Sequence, residues 1–263
     1  MRLKVQHYDV AIIGGGLVGA SFARSIVKLG LKVVLIDRAP ATELYNATLD
    51  NRGLAISYST KRILDNLELW PELAPHAYAI ESVHVSEQKC FGFTKLTAAS
   101  CNLPALGYVV SASQLGAALI HGIETLPNLS VLRPANIETL RYEVAHNTWQ
   151  IVVQGQNLNA KLLVADDGSD SNVRKIEGIT ANVKNYNQSA LITNIGIKQK
   201  VLTTAYERFT DIGVLAVLPF GQAQAKFIWT MDNAKISNFM QLSDQNFLVE
   251  LQQALGFRLG KLL

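Results

Sequence analysis

The sequence has little of what several classes of protein depend on. Its 263 residues include only two cysteines, Cys90 and Cys101, too few for a disulfide framework or a structural zinc site and in keeping with a reducing cytoplasm. The net charge is only +3 and the basic residues do not cluster, so neither nucleic acid nor an anionic membrane is required as a partner. Because no apolar run is long enough to cross a bilayer, no transmembrane segment is expected.

Two catalytic signatures are also missing. The five histidines are dispersed without metal-ligand spacing, which favours surface or packing roles and predicts no bound metal. The motif G-x-S-x-G, which carries the nucleophilic serine of many hydrolases, does not occur.

The hydrophobic content of 49% is enough for the core of one large domain or two small ones.

The most informative stretch predicts a strand, a glycine-rich turn, a helix and a second strand. Tyr8 to Ile13 is a short apolar run, and Gly14, Gly16 and Gly19 directly after it fill the pattern G-x-G-x-x-G. In dinucleotide-binding proteins the first glycine permits a sharp turn, the second lets the backbone approach a pyrophosphate, and the third allows close packing of helix on sheet. We therefore predict a dinucleotide site here.

The helix after this turn is expected to begin near Leu17, so that its free N–H groups and positive dipole end face an anion. Gly15, Leu17 and Val18 are accordingly predicted to bind the cofactor together with the three glycines. One apolar stripe of the helix is expected to face the sheet, with Arg24 lying off it. That stripe consists of Val18, Phe22, Ile26 and Leu29.

The second strand, Lys32 to Ile36, ends at Asp37, and Arg38 follows as part of the same predicted site. A carboxylate at this position accepts hydrogen bonds from the ribose hydroxyls of an adenine dinucleotide and repels a 2′-phosphate. Two alternatives stay open. The charged start and apolar run resemble a secretory signal peptide, although no clear cleavage site follows, and the glycine turn could be purely structural.

The rest of the chain predicts further helices separated by strand-rich segments. Helices are expected at about 59–69, with Ile63, Leu64 and Leu67 inward, at 113–125, and at 244–255 after Ser243 as N-cap. Strands are expected at 79–87 and 91–96 as a hairpin, at 108–110, in several runs between 129 and 165, and in four more after 185. A nucleotide-binding α/β part thus precedes a mainly antiparallel part.

An acidic turn, called the acidic corner below, follows the last strand of the predicted nucleotide-binding part. The strand AKLLVA runs into Asp166, Asp167 and Gly168. Ligands collect at the carboxyl ends of strands in open sheets, so this turn is a candidate second contact with the cofactor. Taken alone, these residues favour a simple polar turn.

The spaced glycine pattern, extended to Asp37, resembles the FAD-binding start of the flavin-dependent aromatic hydroxylases of the para-hydroxybenzoate hydroxylase type. The segment 165–175, ADDGSDSNVRK, is similar to the second signature of that family, A-D-G-x-x-S-x-x-R. Asp167, Gly168, Ser171 and Arg174 match it. With this resemblance, the interpretation of the acidic corner as a functional turn becomes the favoured one.

Within that family the chain is similar to the ubiquinone-biosynthesis hydroxylases, of the kind that acts on 2-polyprenyl-6-methoxyphenol. The likeness rests on DNRGLAIS, IESVHVSEQKCFGFTKL, YERFTDIGVLAVLP and LQQALGFRLGKL, which span nearly the whole chain. It implies FAD as cofactor, reduced by NAD(P)H, and hydroxylation of a hydrophobic polyprenyl phenol with O2. It also implies that Arg52, Asp167 and Gly168 lie near the flavin and the pyrophosphate, and it assigns Gln114 to the flavin.

The same resemblance implies an α/β fold with a Rossmann-like FAD-binding domain, 1–78 with 105–180, interleaved with a mainly antiparallel β substrate domain, 79–104 with 181–263. The β-rich segments would form the wall against the substrate. A cytoplasmic location is implied, with peripheral binding at the inner membrane and a complex with other ubiquinone-biosynthesis proteins left open.

The sequence departs from the family pattern in two places. Many relatives have an arginine before the helix at 113–125, where this chain has Ser111 to Gln114. Nothing in the chain resembles the third family signature, so it resembles the first two thirds of a longer protein. Two alternatives to the hydroxylase are therefore kept: another FAD or NAD(P)H oxidoreductase, such as a prenyl reductase or a disulfide reductase, and a truncated non-catalytic chain. The separation of Cys90 from Cys101 does not fit a redox cysteine pair.

Overall fold

A computed structural model of the chain describes residues 5–43, 52–198 and 201–263. The described residues belong to two compact units. The first unit is drawn from Met1–Asn51 and Ala112–Asn182, and the second from Arg52–Ser111 and Val183–Leu263. The chain therefore passes twice through each unit, which makes the two interleaved in sequence.

The strands and helices follow the order of the chain. The strands are β1 (Gln6–Ile13), β2 (Val33–Ile36), β3 (Gly53–Ser57), β4 (Tyr78–Ile80), β5 (Ser82–Glu87), β6 (Phe93–Thr97), β7 (Gly107–Ser111), β8 (Leu129–Leu132), β9 (Ile137–Glu143), β10 (Thr148–Val153), β11 (Gln156–Ala165), β12 (Gln188–Gly196), β13 (Thr204–Thr210), β14 (Gly213–Pro219) and β15 (Gln224–Asp232). The helices are α1 (Leu17–Val27), α2 (Tyr58–Asn66), α3 (Trp70–Leu73), α4 (Ala112–Ile120), α5 (Asn172–Ile176), α6 (Asn233–Phe239) and α7 (Asp244–Leu255). Short 3-10 turns lie at Ala41–Glu43, Ala74–His76, Ala99–Cys101 and Ile123–Thr125.

The first unit is built on a six-stranded sheet in the order β8-β2-β1-β11-β10-β9. The first four of these strands run parallel, and β10 and β9 are added antiparallel. Ile13 at the end of β1 pairs with Ile36 of β2 on one side and with Ala165 of β11 on the other, and Ile36 pairs with Leu132 of β8. Because the parallel strands end in register, the residues that follow them meet at one edge of the sheet.

The face by which α1 packs differs from the predicted stripe. The buried face carries small residues, Gly19, Ala20 and Ala23, together with Ile26 and Val27. A β-carbon on Gly19 would lie 1.9 Å from the carbonyl oxygen of Gly14, so the first turn of the helix sits too close to the glycine turn for a side chain at that position. The prediction of a Val18, Phe22 and Leu29 stripe is therefore wrong, since these side chains are 69%, 37% and 74% exposed.

Arg24 of α1 is a second correction, because it is buried rather than lying outside the packed face. Its Nε donates a hydrogen bond of 2.7 Å to the carbonyl oxygen of Leu119 in α4, and Nη2 donates to the carbonyl of His121. These carbonyls lie at the end of α4, where backbone acceptors lack partners within the helix. The side chain thus ties α1 to the end of α4.

The second unit contains a six-stranded sheet in the order β12-β15-β14-β13-β5-β6 and a three-stranded sheet in the order β3-β7-β4. All neighbours are antiparallel except β13 and β5, which run parallel. Its core includes Phe227 and Trp229 of β15 against Leu251 and Leu255 of α7. Ser243 caps α7 by accepting a hydrogen bond from the N–H of Asn246, as predicted.

The α/β class expected from the sequence is confirmed, as are the hairpin of β5 and β6 and the burial of Leu64 and Leu67. Ile63 is 54% exposed, contrary to the prediction, and α6 was not predicted. In the structure, residues 52–78 and 105–111 belong to the second compact unit, where β3, β7 and β4 form one sheet. The assignment of 1–78 and 105–180 to FAD binding stays a prediction about function.

Part of the loop predicted after Asp37 lies outside the described residues, including the start of the DNRGLAIS stretch. No helix of the described residues combines the length and the apolar character that crossing a bilayer requires.

Candidate dinucleotide site

A cavity of about 460 Å³ opens at the carboxyl edge of the sheet in the first unit. Its lining comes from the glycine turn after β1, the end of β2, the segment before β9, and the acidic corner with α5. The predicted residues in this lining are Gly14, Gly16, Asp37, Arg38, Asp167 and Gly168. The glycine turn and the acidic corner, more than a hundred residues apart in sequence, therefore share one concave surface.

The glycine turn is shaped by two tight contacts and one open position. Gly14 has φ of +105°, and its β-carbon would lie 2.1 Å from the carbonyl oxygen of Asp166. Gly19 is as crowded against the turn, whereas a β-carbon on Gly16 would meet nothing within 4 Å. Gly16 is the N-cap of α1 and has φ of −68°, a value open to any residue. The fold thus requires Gly14 and Gly19, while Gly16 leaves open space at the start of the helix.

Asp37 is held by three donors at the end of β2. Its Oδ1 accepts a hydrogen bond of 2.7 Å from the N–H of Ala39, and its Oδ2 accepts one from the N–H of Gly15. Arg133, which follows β8, places Nη2 3.0 Å from Oδ2 and donates a bond of 2.5 Å to the carbonyl oxygen of Gly15. Both side chains are largely buried, with 12% of Asp37 and 4% of Arg133 exposed. The carboxylate is therefore fixed against the glycine turn before any ligand binds.

Asp167 is fixed by the start of α5. Its Oδ2 accepts hydrogen bonds of 2.6 Å and 3.1 Å from the N–H groups of Asn172 and Val173. Burial acts to raise the pKa of Asp167, but hydrogen bonds from Ser171 and from these N–H groups outweigh it, so that the pKa lies below its usual value. Asp167 is accordingly an ionised anchor for the turn that presents Gly168, whose φ is +88°.

Asp166 has the opposite character. Its backbone N–H donates a bond of 2.7 Å to the carbonyl of Ile13, which continues the pairing of β11 with β1 beyond the strand end. Asp166 is among the residues that line the cavity. Burial raises the pKa of Asp166, and the negative charge of Asp167 raises it further. Two adjacent carboxyl groups thus differ in their readiness to carry charge.

The remaining predicted residues lie in three places. Gly15 lies within the turn, and Leu17, Val18 and Gly19 form the first turn of α1. Gln114 is half-buried in α4, and Arg52 is exposed immediately before β3 in the second unit. The roles of Gln114 and Arg52 beside the flavin stay predictions, as do the cofactor contacts of the whole set.

Sequence reasoning missed Arg133 as part of this site. No local pattern marks it, because its position depends on the pairing of β8 with β2 across almost a hundred residues. The sequence places Asp166 in the acidic corner, but the predicted set of cofactor-binding residues does not include it. The sequence does mark this residue, because Asp166 stands where the family motif has alanine.

The residues around the cavity fit the adenosine and pyrophosphate part of a dinucleotide. The first N–H groups of an α-helix have no partners within the helix and favour an anion, and open space lies in front of Gly16 for its approach. Asp37 supplies a fixed carboxylate at the strand end where ribose hydroxyls are bound in this class of fold. The cavity volume is also within the usual range for small-molecule sites.

Comparison with known proteins agrees with this geometry. Residues 7–256 match the model of a family described as FAD binding domain. The ubiquinone hydroxylase UbiL of Rhodospirillum rubrum is 30% identical over 96% of this chain and 58% of its own length. The 3-demethoxyubiquinol 3-hydroxylase of Escherichia coli is 27% identical over 97% of this chain and 65% of its own length. The chain thus spans about three fifths of the length of these curated relatives.

Among solved structures, PqsL of Pseudomonas aeruginosa in complex with 2-aminobenzoylacetate superposes with a TM-score of 0.80. The match covers 95% of this chain and 67% of PqsL at 18% sequence identity, and therefore shows a shared fold. The fold and the cofactor class expected from the sequence, an α/β protein for FAD, are both confirmed at the level of family.

Proposed function

This chain belongs to the FAD binding domain family, and from that membership we propose that it is the FAD-binding and substrate-facing part of a flavin-dependent monooxygenase. The proposed reaction is hydroxylation of a polyprenyl phenol in ubiquinone biosynthesis, with NAD(P)H as electron donor and O2 as oxygen source. The similarity to two proteins named as ubiquinone hydroxylases and to a 3-demethoxyubiquinol 3-hydroxylase supports this substrate class.

The observation that carries the proposal is the shared cavity of the glycine turn, Asp37 and Asp167. A pyrophosphate at the start of α1 would accept hydrogen bonds from the free N–H groups of Leu17 and Val18. Asp37 would accept hydrogen bonds from the ribose. Asp167 would hold the turn on which Gly168 lets the backbone approach the cofactor.

The flavin, when bound, would accept electrons from NAD(P)H and support oxygen transfer to an electron-rich ring. The protein then has to bind the adenylate, position the phenol and exclude water, and needs no nucleophilic side chain. Arg52 is proposed to lie beside the flavin and the nicotinamide, and Gln114 beside the flavin. The antiparallel sheet of the second unit is proposed as the wall against the substrate.

A polyprenyl tail is also consistent with peripheral binding at the inner membrane, which we include in the proposal. Association with other proteins of ubiquinone biosynthesis is a further part of it. Both concern the whole protein rather than the cavity.

The first experiment is a titration of the purified 263-residue chain with FAD, followed by quenching of flavin fluorescence. Saturable binding of FAD, with much weaker binding of FMN, is expected because only FAD has the adenylate that Asp37 would contact. Asp37→Ala should weaken FAD binding by roughly 1–3 kcal/mol, the usual cost of unpaired hydrogen-bonding groups. Without saturable FAD binding the non-catalytic alternative would be preferred.

The second experiment tests the reaction. NAD(P)H oxidation by the FAD-loaded protein is measured with and without a short-chain 2-prenyl-6-methoxyphenol under labelled O2. Acceleration by the phenol and incorporation of one labelled oxygen atom into the ring would support the hydroxylase. Electron transfer without oxygen incorporation, or reduction of a prenyl double bond, would support a reductase instead.

A further inference from the structure

The Asp166 carboxyl lies beside the glycine turn. Its carbonyl oxygen is the atom against which Gly14 is packed, and its Oδ2 lies 3.2 Å from the position that a β-carbon on Gly19 would take. Asp166 also lines the cavity together with Gly14 and Gly16. It is therefore adjacent to the place where the start of α1 would receive a pyrophosphate.

At Asp166 the chain departs from the family signature given above. In the pattern A-D-G-x-x-S-x-x-R, this chain matches at Asp167, Gly168, Ser171 and Arg174, and Asp166 occupies the alanine position. Alanine would add neither charge nor hydrogen-bonding capacity next to the phosphates. Asp166 adds a titratable group there.

The other charged groups around the cavity are mostly paired. Asp37 from β2 contacts Arg133, which follows β8. Asp167 accepts from two N–H groups of α5. Asp170 lies 2.7 Å from Lys175 of α5, and Arg38 lines the same cavity from the end of β2. The first turn of α1 contributes no acidic residue.

Asp166 differs from these groups. Among the residues that the structure describes, its carboxyl has no hydrogen-bond or ion-pair partner. Burial and the charge of Asp167 both raise its pKa. The start of α1 lies beside the same turn, and the positive end of its dipole favours the ionised form of a nearby carboxyl. A bound pyrophosphate would occupy that positive end and place negative charge beside the carboxylate.

From this geometry we propose that dinucleotide binding at the glycine turn is coupled to the uptake of one proton by Asp166. The inference rests on the proposed function, because it concerns the same FAD site. Protonation removes the repulsion between the carboxylate and the phosphates and turns the side chain into a hydrogen-bond donor. Affinity for FAD therefore rises as the pH falls, with a limiting slope of about tenfold per pH unit for one proton.

The test is isothermal titration calorimetry of the full chain with FAD, at one pH in two buffers of different ionisation enthalpy. The difference in observed enthalpy counts the protons taken up. ADP-ribose is the second probe, since it keeps the non-titrating pyrophosphate and lacks the flavin. Wild type is expected to take up a measurable fraction of one proton with both ligands.

Two variants assign the proton. Asp166→Ala, which restores the motif residue, and Asp166→Asn, which keeps the shape, should bind FAD without proton uptake and more tightly than wild type at high pH. Asp170→Ala is the matched control, because it removes an acid from the same cavity that is already paired with Lys175. It should keep the proton uptake of wild type.

The outcomes separate this inference from the proposed function. Saturable FAD binding by wild type with no proton uptake, or with uptake that persists in Asp166→Ala, would overturn the role of Asp166 alone. An absence of FAD binding in wild type and in both Asp166 variants at every pH would overturn the proposed function itself.

Discussion

Arg133 and Asp37, at the ends of neighbouring parallel strands, form a buried ion pair of 3.0 Å, and the same guanidinium donates to the carbonyl of Gly15. One side chain thus fixes both the ribose-binding carboxylate and the turn that would hold the pyrophosphate. Arg133→Met is expected to weaken FAD binding by roughly 1–3 kcal/mol, because the pair loses a buried charged hydrogen bond. FAD titration measures this change.

A double variant distinguishes positioning from a general loss of stability. If Arg133 acts through Asp37, the double variant Arg133→Met/Asp37→Ala should lose much less free energy of FAD binding than the two single variants lose in sum. Arg141→Met, an exposed arginine of β9, is the matched control and should bind FAD as wild type does. Fully additive effects would show that Arg133 contributes independently of Asp37.

The glycines of the turn should respond differently to the same substitution. Gly16→Ala is expected to change the free energy of unfolding by less than about 1 kcal/mol, since its β-carbon meets open space. It should nevertheless abolish most FAD binding, because the methyl group occupies the space where the pyrophosphate approaches.

Gly19→Ala should show the reverse order of effects. Its β-carbon would lie 1.9 Å from the Gly14 carbonyl oxygen, so the helix must shift. We expect destabilisation of about 1–3 kcal/mol or more, as for an overpacked core. Chemical denaturation of both variants without FAD makes the comparison, and equal stabilities would contradict it.

Residues of this site that lie close together in the sequence were predicted, whereas a residue brought in from a distant part of the chain was not. Gly14, Gly16 and Asp37 were recognisable because strand, turn, helix and strand are consecutive. Arg133 was not, because its place depends on long-range pairing of β8 with β2. The predicted α1 stripe failed for a local reason: the pattern weighted large apolar residues, whereas close packing on the sheet selected Gly19 and its small neighbours.

Asp167 should make the protein more sensitive to acid. Its pKa in the folded protein lies below its unfolded value of 3.8, so its stabilising effect is complete above that value and is lost as the pH falls through the folded pKa. Asp167→Ala is expected to cost about 1 kcal/mol at neutral pH, the usual cost of losing a helix-capping carboxylate. The difference from wild type should shrink on acidification, which denaturation at several pH values would measure.

The neighbouring carboxyl group should show the opposite sign. Because the pKa of Asp166 is raised on folding, the native state binds more protons than the unfolded chain between the unfolded pKa of 3.8 and the raised folded value. Stability attributable to Asp166 therefore falls as the pH rises through that interval, and Asp166→Asn should remove this fall and stabilise the protein at neutral pH. If Asp166→Asn and Asp167→Ala instead destabilised with the same pH dependence, the two carboxyl groups would share one environment. The raised pKa would then no longer support proton uptake at Asp166.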